Sequence, residues 1–248
     1  MYDTITKLEI FSFILYVNLL PAMFNFVSAT KEPRISVLSN KKRQLLQYMN
    51  VHVTSQSLRE KVTKMAHWSY SLIRDMKDPT KQLIRNEFAV VIRDKYPKAQ
   101  NHFLVLPWES IDTVYELTPK HMPLLVEMHL LGQNAIELCQ GSREQFQLGF
   151  HMQPSMQRLH LHVISKDFIS HCLKTKHHWN IFNTEFFMPI NNIMDEIEKS
   201  GCIQPRSKQY INSLLDTPMM CNQCNSTFNT IPNLKRHLVV HWNGSGIL

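Results

Sequence analysis

The chain has 248 residues, of which 44% are hydrophobic and 19% charged, so it is long and apolar enough to bury one substantial core with a small appendage. Its net charge of +7 is compatible with a polyanionic partner but does not identify one. The five cysteines form an odd number, and only Cys221 and Cys224 are close in sequence, which argues against a secreted framework of disulfides.

The first 65 residues differ in composition from the rest and are left without a fold assignment. Residues 10–29 are almost wholly apolar, and residues 31–43 carry five basic side chains against one acidic one, which is typical of a linker. Three interpretations of the apolar run stay open: a signal peptide or membrane anchor, a packed helix, and sequence from outside the true coding frame.

From residue 66 onward the pattern predicts an α+β domain with a mainly antiparallel sheet. Strands are predicted over residues 88–92, 102–106 and 146–151, because these runs are apolar and are bounded by turn residues. A helix is predicted to begin at Thr118 and Pro119, and a shorter amphipathic helix is predicted to end at Gly201. The longer helix repeats apolar residues at spacings of four and three, which predicts a face packed on the sheet: Leu124, Met128, Leu131, Ala135 and Leu138.

The run from residue 158 to 164, RLHLHVI, alternates polar and apolar side chains. Strict alternation predicts a half-buried strand with Arg158, His160 and His162 on one face. Two neutral imidazoles on one face can accept protons, bind a metal or attack a phosphorus centre, because their ordinary pKa lies near the working pH. The alternative is a solvated strand face that carries histidines without a chemical role.

The C-terminal region contains a spacing typical of a zinc finger. Cys221 and Cys224 are followed by His237 and His241, in the order Cys-x2-Cys-x12-His-x3-His, with Phe228 and Leu234 between them. Two thiolates and two imidazoles one helical turn apart are the ligands of a tetrahedral zinc site. We therefore predict one structural Zn²⁺ in a small ββα-type C2H2 finger, whose helix carries Lys235 and Arg236 as candidates for contact with backbone phosphates.

The stretch HMQPSMQRLHLHVIS at residues 151–165 resembles the active-site strand of the histidine triad (HIT) hydrolases. The resemblance runs from about residue 66 to 242 and includes HWS at 67–69, VVIRDKYPKA at 90–99, LVLPW at 104–108 and HWN at 178–180. A zinc finger after the HIT domain is typical of the branch that acts on adenylated DNA ends. The resemblance implies a HIT fold and four segments: an unplaced segment 1–65, a catalytic domain 66–168, a connecting helical segment 169–217 and the finger 218–243.

The resemblance also implies roles for individual residues. His160 matches the nucleophile, His162 matches a ligand of the phosphate oxygens, and His151 matches the residue that binds phosphate and protonates the leaving group. Two further sets match segments that contact substrate or DNA: Ser155 and Met156; and Asp94, Lys95, Tyr96, Pro97 and Lys98. Arg158 stands where the family has its first triad histidine, and it cannot accept a hydrogen bond. We expect Arg158 to bind phosphate instead.

The implied function is removal of AMP from abortively adenylated 5' ends of DNA through a covalent histidine–AMP intermediate. The implied partners are DNA with adenylated 5' ends, nicks or single-strand breaks, with AMP as a product, in a nuclear and monomeric protein. Residues 1–65 are too few for a forkhead-associated domain, so phosphopeptide docking by that route is not expected. Two alternatives stay open: a HIT hydrolase of free nucleotides such as adenosine phosphoramidates or dinucleoside polyphosphates, and a catalytically weakened binder of DNA ends.

Overall fold

The computed structural model describes residues 71–224 and 226–244, with side chains described as far as residue 242. This part of the chain belongs to one compact unit. The predictions for the apolar run 10–29, the basic run 31–43 and the start of the domain before residue 71 lie outside the described residues. Among the helices that are described, none is long and apolar enough to cross a bilayer.

Six strands form one sheet in which every neighbouring pair is antiparallel. The strands are β1 (Gln82–Arg85), β2 (Ala89–Arg93), β3 (His102–Pro107), β4 (Phe146–His151), β5 (Leu161–Ser165) and β6 (Phe187–Pro189). Their order across the sheet is β1-β2-β3-β5-β4-β6. The predicted α+β class and antiparallel sheet are confirmed, although the short edge strands β1 and β6 were not predicted. Each has four residues or fewer, which is too short for a clear period-two pattern.

In the described residues up to 216, five helices lie around this sheet. They are α1 (Ser71–Asp75), α2 (Met122–Leu138), α3 (Lys176–Asn183), α4 (Ile190–Ser200) and α5 (Lys208–Asp216). A single 3-10 turn, Pro119–His121, leads into α2, as the Thr118-Pro119 signal predicted. Four of the five residues predicted for the buried face of α2 are buried, but Leu138 is 55% exposed because the helix ends there, beyond the sheet. The predicted end of α4 is confirmed, since Gly201 adopts a left-handed φ of 75° and its N–H bonds to Ile197 O.

Both faces of the sheet are covered, and this changes the prediction for the histidine strand. Leu161 and Val163 of β5 pack towards α2, where Gly132 allows close approach: a Cβ on that glycine would lie 3.0 Å from Val163 Cγ2. His162 takes the opposite face and is also buried. The predicted alternation is therefore correct, but the expectation of a half-buried strand is wrong, because β5 is central between β3 and β4.

The strand is also shorter than predicted. It begins at Leu161 rather than Arg158, because Arg158 has a φ of 80°, which is incompatible with an extended strand. Arg158 and His160 therefore lie in the loop that leads into β5.

The C-terminal region forms the predicted ββα unit from β7 (Met219–Met220), β8 (Thr227–Phe228) and α6 (Ile231–Gly244). Its apolar side chains do not form a separate core. Leu234 and Leu238 of α6 belong to one buried cluster with Phe168 and Trp179 of the preceding domain. The Trp179 ring also donates a hydrogen bond to Met220 O at 3.1 Å. Finger and sheet domain therefore share part of their hydrophobic core.

Candidate active site and zinc centre

Four histidines meet where the end of β4, the start of β5 and the start of β3 come together. His162 is at the centre: its ring centroid is 4.2 Å from that of His151, 4.7 Å from that of His160 and 5.2 Å from that of His102. The Phe182 and Phe187 rings pack against this cluster from α3 and β6. The three predicted catalytic histidines are thus brought together in a largely apolar surrounding, where burial disfavours the charged imidazolium.

His160 has a defined tautomer. Its Nδ1 lies 2.8 Å from the backbone carbonyl oxygen of Arg158. A carbonyl can only accept a hydrogen bond, so Nδ1 carries the proton and Nε2 keeps its lone pair. Burial lowers the pKa of His160 below its ordinary value of 6.5, which keeps the ring neutral near pH 7. The arrangement provides a neutral imidazole whose Nε2 can act as a nucleophile.

His162 has the complementary tautomer, set by a chain of two hydrogen bonds. The backbone N–H of Lys98 donates to His102 Nδ1 at 3.2 Å, and His102 Nε2 then donates to His162 Nδ1 at 2.9 Å. His162 Nε2 therefore carries a proton, and it is buried without a hydrogen-bond partner among the described residues. A buried donor without a partner is costly, and a phosphate oxygen would satisfy it.

His102 is a member of the histidine cluster that sequence reasoning missed. Its sequence position suggested only the start of a strand, yet the residue is only 3% exposed. Burial lowers its pKa to about 4 despite Asp94, so the ring is neutral at pH 7. Its Nδ1 lies 3.4 Å from Asp94 Oδ2, but because Nδ1 accepts from Lys98 this contact is not an ion pair. A histidine at the start of an otherwise apolar central strand was the available signal.

His151 ends β4, and its ring contacts the rings of His162, Phe182 and Phe186 at tilted or edge-on angles. Burial, and then the nearby His160 and His102, lower the pKa of His151 well below 6.5. Its Nε2 is buried without a hydrogen-bond partner in the described part of the chain. An anionic phosphate group in contact with this ring would raise its pKa again and make it a proton donor.

Arg158 is held in place by the loop that follows β3. Its Nη1 donates to Glu109 O at 2.6 Å, and its backbone N–H lies 3.3 Å from Asp112 Oδ1. The side chain is buried, and its Nε has no partner among the described residues. The backbone carbonyl of Arg158, rather than its side chain, therefore orients His160. The guanidinium instead binds the 109–112 loop.

The predicted substrate segments lie at the rim of the cluster. In the 94–98 loop, Asp94 Oδ1 accepts from the Tyr96 N–H at 2.7 Å, and Lys98 Nζ donates to Tyr96 O. Lys95 is exposed with its Nζ 5.6 Å from the centroid of the 48% exposed Tyr96 ring. This loop thus presents two lysines and an aromatic ring.

The second substrate segment belongs to the 152–157 loop, between β4 and Arg158. Ser155 is exposed there, and Met156 is half-buried against the cluster that includes Leu72 of α1 and Leu104 of β3. The structure therefore places Ser155 at the surface, while Met156 is partly anchored in the domain.

The zinc ligands predicted from spacing converge. One ligand atom from each of Cys221, Cys224, His237 and His241 lies within 4.8 Å of all the others. Cys224 Sγ is 3.2 Å from His237 Nε2, which in turn is 2.9 Å from His241 Nε2. Two thiols and two imidazoles this close suit tetrahedral Zn²⁺. The finger holds one structural zinc, which leaves no position for substrate.

Comparison with known proteins agrees with this description. Residues 67–178 match the family described as scavenger mRNA decapping enzyme C-term binding, and residues 183–244 match the C2HE / C2H2 / C2HC zinc-binding finger. The chain is 49% identical over 174 residues to an aprataxin-like protein of Drosophila melanogaster, covering 70% of this chain and 26% of that protein. It is 44% identical over 179 residues to aprataxin of Gallus gallus, covering 72% of this chain and 56% of that protein.

Among solved structures, the aprataxin ortholog Hnt3 of Schizosaccharomyces pombe aligns with a TM-score of 0.56 and 23% identity, covering 69% of this chain and 90% of that one. At this identity the likeness establishes the fold. The fold, the histidine cluster and the finger together define a protein with a HIT-type fold and a C-terminal zinc-binding finger. In sequence the chain is similar to aprataxins, and it spans between a quarter and just over half of the length of the two relatives above.

Proposed function

We propose that the chain is a DNA repair hydrolase that removes AMP from abortively adenylated 5' ends of DNA. The observation that carries the proposal is that three neighbouring imidazoles each leave Nε2 available: Nε2 of His160 keeps its lone pair, and Nε2 of His151 and of His162 is buried without a hydrogen-bond partner among the described residues. A phosphoanhydride needs a nucleophile, charge neutralisation and a proton for its leaving group, and this cluster can supply all three.

The first step is attack by His160 Nε2 on the AMP phosphorus. An N–P bond forms, and the bond from that phosphorus to the oxygen bridging to the DNA 5'-phosphate breaks. His162 Nε2 donates a hydrogen bond to a non-bridging oxygen, and His151 donates the proton to the departing 5'-phosphate. Ser155, the backbone around Met156 and the unpartnered Nε of Arg158 are the proposed contacts to the remaining phosphate oxygens.

The second step consumes one water molecule. Water attacks the phosphorus of the histidine–AMP intermediate while His151, now neutral, accepts its proton, and the N–P bond breaks to release AMP. The first step leaves His151 in the form that the second step needs, as general acid–base catalysis requires. No step uses a metal.

The 94–98 loop is the proposed contact with the DNA strand. Lys95 and Lys98 would neutralise phosphates, and the exposed Tyr96 ring would stack on or hydrogen-bond to the nucleic acid. The aprataxin ortholog Hnt3, a structural neighbour with a TM-score of 0.52 and 21% identity, has been solved in complex with DNA, which supports DNA as the partner proposed for this chain. We propose a nuclear, monomeric protein acting at nicks and single-strand breaks, without forkhead-associated docking.

The test is single-turnover release of AMP from a 5'-adenylated nicked duplex. We expect His160→Ala to abolish release, while the matched change His129→Ala, in a half-buried histidine on α2, leaves it unchanged. A covalent histidine–AMP adduct should be present in the parent and absent in His160→Ala. Base is used to trap this adduct, because the phosphoramidate bond survives in base. Equal release from His160→Ala and the parent would refute the proposal.

The two alternatives need a different comparison. Deleting the finger cannot discriminate a free-nucleotide hydrolase, because the finger shares its core with the catalytic domain. The ratio of kcat/KM for adenylated DNA to that for adenosine 5'-phosphoramidate, measured at rising salt, discriminates instead. For a DNA enzyme, kcat/KM for adenylated DNA falls steeply with salt, whereas kcat/KM for the phosphoramidate stays constant. Only the DNA substrate depends on contacts to backbone phosphates. A binder of DNA ends would show salt-dependent binding without turnover of either substrate.

A further inference from the structure

Lys235 on the finger helix forms a hydrogen bond to the connecting segment that follows the catalytic domain, so its ammonium group is not free to contact DNA. Lys235 Nζ donates a hydrogen bond to the backbone oxygen of Ser170, and its side chain is partly buried. Its neighbour Arg236 is exposed and bonds to Asn233 of the same helix. Two basic residues that look equivalent in sequence therefore have different surroundings.

Ser170 continues the connection towards the active site. Its Oγ donates to Pro97 O at 2.5 Å and accepts from the Cys172 N–H at 3.1 Å. Pro97 belongs to the 94–98 loop, so this bond ties the loop to the segment that Lys235 holds. Ala99, two residues further, is buried in the same cluster as Leu234 of the finger helix, which makes the connection apolar as well as polar.

The next residue of the loop acts on the histidine cluster. The Lys98 N–H, which follows the Pro97 carbonyl in the chain, donates to His102 Nδ1, and His102 donates to His162. A peptide plane moves as a unit, so a shift of the Pro97 carbonyl also shifts the Lys98 N–H. That N–H decides which nitrogen of His102 carries the proton, and through His102 it decides which nitrogen of His162 does.

We propose that Lys235 and Ser170 are positioning residues, through which the finger helix holds the 94–98 loop and thereby fixes the tautomers of His102 and His162. The inference rests on the proposed function for its effect on turnover, although its structural part stands alone. The finger, on this account, contributes to chemistry even when no DNA is bound.

The structural part is tested by amide hydrogen exchange of the full chain with zinc bound. We expect Lys235→Met and Ser170→Ala to speed exchange of the Lys98 amide about fivefold to tenfold, the effect of losing one hydrogen bond. The amides of Gln100 and Asn101 serve as internal controls, because Asp167 and Ser165 hold them independently. Unchanged exchange at Lys98 in both variants overturns the proposal.

The catalytic part is tested with adenosine 5'-phosphoramidate, which contains no DNA. We expect Lys235→Met to lower kcat roughly fivefold to tenfold with little change in KM. Lys235→Arg should restore kcat, because arginine can donate the same hydrogen bond. The control is Lys208→Met, the same substitution at an exposed lysine of α5, which should have no effect. If Lys235→Met alters only the salt-dependent KM for DNA, Lys235 is a phosphate contact and the proposal is wrong. If the parent turns over neither substrate, the proposed function fails, and amide exchange still decides the structural part.

Discussion

His102 Nε2 lies 2.9 Å from His162 Nδ1, and this bond joins a strand that carries no catalytic motif to the motif strand β5. The two residues are on the same face of the sheet because Leu104 pairs with His162 and His102 lies two positions before Leu104. The bond fixes the proton of His162 on Nε2, the nitrogen that has no other partner in the described part of the chain.

Replacing His102 should therefore impair catalysis, although His102 is not among the proposed contacts with substrate. For His102→Gln we expect AMP release to slow by roughly tenfold to a hundredfold, since leaving a buried ring nitrogen unsatisfied costs about 1 to 3 kcal/mol. Single-turnover rates measure the effect, and His129→Ala is the control for loss of a histidine elsewhere. A rate within twofold of the parent would show that the relay to His162 is not needed.

Folding stability should fall as the pH falls from about 6.5 to 4. Burial lowers the pKa of His102 from 6.5 to about 4, and it lowers those of His151, His160 and His162 in the same direction. Between these values the unfolded chain takes up protons that the folded chain does not, so stability rises with pH. His102 alone corresponds to roughly 3 kcal/mol across this window.

Urea midpoints measured from pH 7 to 4 check this expectation, and His102→Gln should flatten the curve. Stability that stays constant between pH 6.5 and 5 would contradict the buried, neutral state of the cluster.

Gly149 should tolerate no side chain, because a Cβ there would lie 2.5 Å from the backbone oxygen of Met188 and 2.6 Å from the Phe187 ring. That contact is with backbone of the neighbouring strand β6 and cannot be relieved by a rotamer change. We expect Gly149→Ala to lower the free energy of unfolding by about 2 to 3 kcal/mol. Gly201→Ala is the matched control: nothing lies within 4 Å of its Cβ position, so it should cost about 1 kcal/mol from its positive φ alone.

Denaturation in urea gives both values. Equal losses for the two glycine variants would mean that β4 and β6 separate easily next to His151.

Zinc removal should destabilise the catalytic domain as well as the finger. Because Leu234 and Leu238 share a cluster with Phe168 and Trp179, loss of the finger exposes apolar surface of the domain. We expect Cys224→Ala, or a chelator, to lower the midpoint of a single cooperative thermal transition. Circular dichroism monitors this transition, and zinc release is measured in the same experiment. Two separate transitions, with the upper one unchanged, would show that the units fold independently.

Arg158→His should not improve the enzyme by restoring a histidine. His160 is oriented by the backbone carbonyl at position 158, which the substitution keeps, whereas the bond from Arg158 to Glu109 O is lost. We expect a loss of about 1 to 2 kcal/mol in stability and less than a tenfold change in AMP release. A stable variant with a much faster rate would instead identify Arg158 as a disabling replacement.

The sequence alone determined the α+β fold class, the ligands of the finger and the strand that carries His162. These features depend on local periodicity and spacing: alternation at residues 158–164, the repeats of α2, and the intervals between Cys221, Cys224, His237 and His241. Such patterns are fixed by backbone geometry over a few residues, so they are visible without knowing what packs against them.

The tertiary structure decided how these pieces act together. Each of the features that the sequence did not predict depends on residues far apart in sequence. They are the burial of β5 on both faces, the connection from Lys98 through His102 to His162, the bond from Arg158 to Glu109 and the contact of Lys235 with Ser170. Hydrogen-bond partners and pKa shifts depend on distance in space and on burial, which no local pattern specifies. For that reason the sequence identified His160 and His162 as candidates, whereas only the fold determined which of their nitrogens carry protons.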